Sequence, residues 1–117
     1  MSIKTPFGGI QVSSGDMAYA TTVSTSYVDI VNISGNGYLT GISQAVGSAA
    51  TAYNGQIKII IDGSTIYDGD FSFVDPETYS APQSLSFLLK FKSSLQVQHS
   101  VDNADATAMT SVSYALD

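Results

Sequence analysis

Ile57-Lys58-Ile59-Ile60-Ile61-Asp62-Gly63 is the stretch on which the reading of the fold depends. In an extended chain Ile57, Ile59 and Ile61 share one face, because successive side chains point to opposite sides. A short β-branched run of this kind suits a strand. Asp62-Gly63 follows at once and favours a tight hairpin: Gly tolerates positive φ, and Asp bonds locally to the backbone. A returning strand is expected over Thr65–Tyr67 and another over Asp70–Val74.

The same period of two recurs outward from this point. Leu85, Phe87, Leu89 and Phe91 share one face of an alternating run, and the alternation resumes with Leu95, Val97, His99 and Val101. Ser93-Ser94 separates the two runs and predicts a turn or bulge. Val112–Leu116 closes the chain in the same manner, and further strands are expected near Met17–Ser24, Tyr27–Ile33 and Tyr38–Ser43. Asp75-Pro76-Glu77 and Ala81-Pro82 bracket a loop. Gln44–Tyr53 is rich in Ala and Ser, lacks a periodic apolar face and contains Gly47, which predicts a loop with at most one helical turn.

Eight or nine short strands with turn signals between them predict an all-β, single-domain antiparallel β-sandwich, jelly-roll or Ig-like, without substantial helix. A small barrel is the alternative. The sandwich is assigned to residues 17–117. Residues 1–16 are rich in Gly and Ser and poor in apolar side chains, so they are expected to form an N-terminal arm ordered by a partner.

Composition narrows function. The 117 residues suffice for one core, and a hydrophobic share of 44% argues against disorder. Four Lys and no Arg stand against ten acids, for a net charge of −6, which excludes the clustered cations that nucleic acid or an anionic membrane requires. There is no cysteine, so disulfides, thiol catalysis and thiolate metal sites are excluded. The first sixteen residues lack the continuous apolar run of a secretory signal, and no stretch is apolar for long enough to span a bilayer as a helix. Charged residues make up only 12%, leaving a Ser/Thr/Asn/Gln surface suited to contact with protein or sugar.

No constellation for catalysis emerges. Gly35, Gly37 and Gly41 give G-x-G-x-x-x-G, one residue off the dinucleotide fingerprint, and a strand follows where that motif needs a helix. Asn36-Gly37 therefore reads as a turn. Asp62, Asp68, Asp70, Asp75 and Glu77 are the acids a calcium ion or a glycosidase would use, but each of these aspartates sits beside Gly or Pro, where turns recruit Asp. His99, the one histidine, alternates in phase with core residues and reads as a structural histidine. One His without Cys assembles neither a triad nor a multi-histidine metal site. The seven tyrosines fall mainly in strands or at their ends, where rings pack and hydroxyls stay wet, or stack on sugar. Catalytic, cofactor-binding and metal residues are accordingly expected to be none, and the chain is not expected to be an enzyme.

The order Val28-Asp29-Ile30-Val31-Asn32-Ile33-Ser34, Gly35-Asn36-Gly37-Tyr38-Leu39-Thr40-Gly41-Ile42, Ile57–Gly63, Ser84–Phe87 and Thr110–Asp117 resembles the small β-sandwich units of tailed-bacteriophage virion proteins, namely capsid decoration, head-fibre and tail-associated proteins. The resemblance spans about residues 24–117 and carries no functional residue with it. It implies a virion structural protein, most simply a decoration or cement protein that binds the assembled head as a homo-oligomer, with the major capsid protein or another virion protein as partner. The alternative is a carbohydrate-binding module of a tail or fibre that recognises host surface sugar. A small hydrolase is a third reading.

Overall fold

A computed structural model describes residues 3–4, 11–12, 14–47, 52–75 and 79–117. β1 (Ile3–Lys4) and β2 (Gln11–Val12) pair with each other as a short two-stranded ribbon. The rest comprises β3 (Ser14–Thr22), β4 (Val28–Ser34), β5 (Gly37–Gly47), β6 (Tyr53–Ile61), β7 (Ser64–Asp75), β8 (Tyr79–Ala81), β9 (Gln83–Phe91), β10 (Ser94–Val101) and β11 (Thr107–Leu116). No helix occurs among the described residues.

The pairings are nested. β6 pairs with β7 across Asp62-Gly63, β5 with β9, β4 with β10, and β3 with β11, all antiparallel. The chain is thus one long hairpin with Asp62-Gly63 at its tip, rolled so that alternate pairs enter different sheets. One sheet has the order β4-β10-β6-β7-β8 and the other β3-β11-β5-β9. This is a jelly-roll sandwich. The tip itself has φ of 52° at Asp62 and 83° at Gly63, the two positive values that a tight hairpin turn matched to strand twist requires.

The Gly35-Asn36 corner carries the chain from β4 in one sheet to β5 in the other. Gly35 has φ of 132°, open to glycine and strained for other residues, and its N–H donates to the Ser93 carbonyl at 2.9 Å. Gly37 serves a different purpose. A Cβ there would collide with the backbone carbonyl oxygen of Ala115 on β11, so close strand approach excludes any side chain.

Several expected boundaries shift. Gln44–Tyr53 is not a loop with a helical turn: β5 continues through Gly47 and β6 begins at Tyr53, while residues 48–51 lie outside the described residues. The apolar face that seemed missing there contains a glutamine, since Gln44 and Val46 are both buried and alternate with Ser43 and Ala45. The strands expected at Thr65–Tyr67 and Asp70–Val74 are one strand, β7: Asp68 and Gly69 pair in register with Lys58 and Ile57, and the register against β6 shifts on either side of them, at Ile66 and at Phe71. β3 starts at Ser14, paired with Leu116. Ser93 lies in the β9–β10 turn, as its doublet with Ser94 predicts.

The sheets enclose two apolar clusters. The larger gathers Leu39, Ile42, Ile57, Phe91, Leu95, Val97 and Val112 among others. The smaller, toward the far end of β5 and β10, holds Val46, Val74, Val101, Ala106 and Ala108, with Tyr53 packed against it.

Candidate interaction surfaces

A hydrogen-bonded polar chain, Ser72–Gln44–Thr110–His99, lies in the interior and links the two sheets. Ser72 Oγ donates to Gln44 Oε1 at 2.7 Å, Gln44 Nε2 donates to Thr110 Oγ1 at 3.0 Å, and Thr110 Oγ1 lies 2.8 Å from His99 Nδ1. Because Thr110 already accepts from Gln44, its single hydroxyl proton is best used toward His99, which leaves Nδ1 as acceptor and the proton on Nε2. His99 is 1% exposed, and burial holds its pKa below the ordinary imidazole value. No buried polar side-chain atom among the described residues is without a partner. His99 thus lies inside the sandwich against the Thr110 hydroxyl, and the chain of contacts it belongs to contains no carboxylate.

The acids that sequence singled out are dispersed. Asp62 accepts from the backbone N–H groups of Ser93 (2.7 Å), Lys92 (3.0 Å) and Ser94 (3.1 Å), and from the Ser93 hydroxyl (3.0 Å). These donors, the Ser93 N–H foremost, hold its pKa at about 2. Asp68 accepts from the Tyr27 hydroxyl at 2.6 Å, and burial together with this carboxylate pushes the Tyr27 phenol well above its usual range. Asp70 accepts from Gln56 Nε2 at 3.2 Å, while its backbone carbonyl accepts from the Tyr67 hydroxyl. Glu77 and the side chain of Asp75 lie outside the described residues. Among the described residues no three His, Cys, Asp or Glu side chains converge as metal ligands.

The two outer sheet faces differ in chemistry. On the five-stranded sheet, Asp29 accepts from Gln96 (2.8 Å), Gln98 (2.9 Å) and Asn32 (3.2 Å), and the Gln96 amide leads in holding its pKa down. Lys58 sits 5.7 Å above the Tyr27 ring. This face is a lattice of amides and carboxylates already bonded to one another. The four-stranded sheet instead presents hydroxyls and small residues in two cross-strand rows, Tyr19–Ser111–Ser43–Ser84 and Met17–Ser113–Gly41–Ser86. A shallow depression of about 200 Å³ runs across these rows, from Ser84 and Ser86 on β9 over Ser43 and Gly41 to Ser111 and Ser113 on β11, with Met17 of β3 in its wall. Met17 and Tyr19, on the edge strand β3, stand out at 72% and 63% exposed.

A second surface opens where the sheets part at β7 and β9. An apolar cleft of about 420 Å³ is lined by Ile66, Tyr67, Phe71, Leu85, Phe87 and Leu89, among others, with Asp70 the one charged residue in its wall. Leu85 is half exposed there. β9, which supplies Leu85, Phe87 and Leu89 to this wall, is an edge strand of its sheet with β5 as its neighbour. Neither surface was visible in the sequence. Leu85, Phe87 and Leu89 read as core, which is their role in an alternating pattern, and nothing local says that the opposing sheet fails to cover them.

No protein-family model matches the chain, and no curated protein sequence does. Solved structures do share its fold. The VP2 subviral particle of infectious bursal disease virus matches 96% of this chain and 36% of its own, with a TM-score of 0.50 and 7% identity. T=1 particles derived from the same virus match 91% of this chain and 32% of their own, at a TM-score of 0.46 and 9% identity. The chain therefore spans about a third of the length of these structures. At such identity the likeness establishes the fold, an all-β jelly-roll sandwich as found in VP2.

Proposed function

We propose that this chain is a non-enzymatic virion structural protein that decorates an assembled capsid as an oligomer, and that the virion is a tailed bacteriophage's. The observation that carries the reading is the nested jelly roll, an architecture that capsid proteins use and one it shares with VP2. Two features support it. Asp29, Asp62, Asp68, Asp70 and His99 are engaged in hydrogen bonds within the fold, and the described residues leave open an apolar cleft beside the edge strand β9 and a serine-rich sheet face. Surfaces of that kind serve protein contact. The segment that a capsid subunit orders is in this reading the part of the expected arm upstream of β3, since residues 14–16 pair with β11 in the sheet.

The test is imaging of virions labelled at the C-terminus. Label distributed over the head at a lattice-defined number of copies supports decoration. Label confined to the tail refutes it and favours the sugar-binding alternative, which purified protein must then show by retaining cell-surface polysaccharide. Deletion of residues 2–12, upstream of β3, is expected to abolish head binding while leaving thermal unfolding unchanged.

A further inference from the structure

We propose that the open edge of β7 is a strand-docking site, and that its occupant is an extended segment of the protein this chain decorates, in which apolar side chains alternate with Lys or Arg. The inference rests on the decoration reading for the identity of that protein and for nothing else.

The edge is open because β8 is short. It pairs with β7 only opposite Phe73, Val74 and Asp75, after which Pro82, with no N–H to offer a ladder, leads the chain to β9 in the other sheet. From Ser64 to Ser72 the outer edge of β7 has no strand beside it among the described residues. Its regular part is Tyr67–Asp70, which pairs in unbroken register with β6. A segment laid there continues the lane that β8 begins, about 4.8 Å from β7, and joins its N–H and C=O groups to those of the edge.

The pleat gives such a segment two faces. The inward face meets the cleft between Ile66, Tyr67 and Phe71 on β7 and Leu85, Phe87 and Leu89 on β9. A cavity of about 150 Å³ takes one benzene-sized group. The cleft, at about 420 Å³, therefore takes apolar side chains from successive inward positions, which a strand sets about 7 Å apart. The outward face meets carboxylates. Asp68 and Asp70 pair across the sheet with Lys58 and Gln56, which alternate with the buried Ile57 and Ile59, so both acids point away from the core. Their described hydrogen bonds come from neutral donors, the Tyr27 hydroxyl at 2.6 Å and the Gln56 amide at 3.2 Å. Cross-strand neighbours of opposite charge stabilise a sheet and like charges oppose pairing, so the residues facing these acids are basic.

A second copy does not supply that strand. The chain holds four Lys and no Arg. Lys58 lies in β6, which has β10 and β7 on its two sides, Lys92 lies in the β9–β10 turn, and Lys4 lies in a strand of 2 residues. Lys90 on β9 already sits 3.0 Å from Asn36 Oδ1 and 3.4 Å from Asp117. The fold thus presents acids along its open edge and, among the described residues, keeps no free basic strand to answer them.

The probe is an acetylated and amidated peptide, about six residues long, that alternates Val with Lys, titrated into the full chain and followed by NMR. Binding is expected with a Kd between about 10 μM and about 1 mM, with shifts in the backbone amides of residues 64–72. Glu in place of Lys in the peptide weakens binding by about tenfold or more. Methylating the peptide's backbone nitrogens abolishes it, because the N–H donors are removed while the charge stays. Asp68→Lys and Asp70→Lys together, both at exposed positions, reverse the order of the Lys and Glu peptides. The methylation control needs no variant and stands on the parent chain. Absence of binding up to about 1 mM overturns the proposal. So does binding indifferent to methylation or to charge, or binding that leaves residues 64–72 unmoved. A peptide that fails on a chain that coats heads sinks the docking site alone, and one that docks on a chain that ignores heads sinks the decoration reading alone.

Discussion

The carboxylate of Asp62 belongs to the tip of the β6–β7 hairpin, yet the donors around it come from the β9–β10 turn. One side chain therefore clasps the inner hairpin to a turn some thirty residues on, and its charge is what the backbone N–H groups favour. Its folded pKa of about 2 lies below the ordinary 3.8, so the stabilisation is complete above pH 4 or so and is lost as pH falls toward 2. Asp62→Asn should lower the melting temperature at neutral pH. The gap to the parent should close between about pH 4 and pH 2, which calorimetry across that window checks. His99 has the opposite charge type and the same sign of pH dependence. Burial lowers its folded pKa, so below about 6.5 the unfolded chain takes up a proton that the folded chain refuses. Stability should decline from pH 6.5 downward until the folded value is passed, and be flat above it. His99→Gln should remove that slope, whatever it does to stability at pH 7. An unchanged slope between pH 6.5 and 5 would assign it to other groups.

At the scale of the element, β5 shows why part of the fold was legible in sequence and part was not. Its first half, Tyr38–Ser43, announces itself by alternation after a glycine turn. Its second half does not, because the residue that fills the core at position 44 is a glutamine whose amide is satisfied by Ser72, Thr110 and the Gln56 carbonyl. Binary patterning cannot see a polar residue whose partners arrive from three other strands. The tip at Asp62-Gly63 and the strands β6, β9, β10 and β11 were readable because local geometry and burial agree there. The interaction surfaces were not, since they depend on which edges and faces the rolled sheets leave uncovered. Close approach along β5 gives a direct test. Gly37→Ala forces a methyl group into the β11 backbone at Ala115 and should cost about 1–3 kcal/mol, as overpacking does. Gly15→Ala on β3, with open space around it and no positive φ, should change stability by less than about 0.5 kcal/mol. Urea denaturation of the two variants side by side separates steric exclusion from a general intolerance of sheet glycines.

For the whole molecule, nesting imposes an order on assembly. The β6–β7 pair closes a two-residue turn, whereas β5–β9, β4–β10 and β3–β11 join segments progressively farther apart in the chain. Closing a loop costs more entropy as it lengthens, and each outer pair shortens its own loop only after the inner pairs have formed. Folding is therefore expected to start at the Asp62-Gly63 tip and to finish with β3 on β11, on the slow, millisecond-to-second scale of proteins rich in non-local pairs. Substitutions at the two ends of this sequence should divide between the two arms of a chevron. Gly63→Ala places a side chain at φ of 83° and should cost about 1–2 kcal/mol, felt chiefly as slower folding because the turn is formed in the transition state. Val112→Ala, buried on β11, should cost about 2–3 kcal/mol and appear chiefly as faster unfolding, because its contacts form last. Stopped-flow kinetics in urea decides the matter. If Val112→Ala slows folding in full proportion to its destabilisation while Gly63→Ala leaves the folding rate unchanged, the outer strands nucleate the roll and the order argued from nesting is reversed.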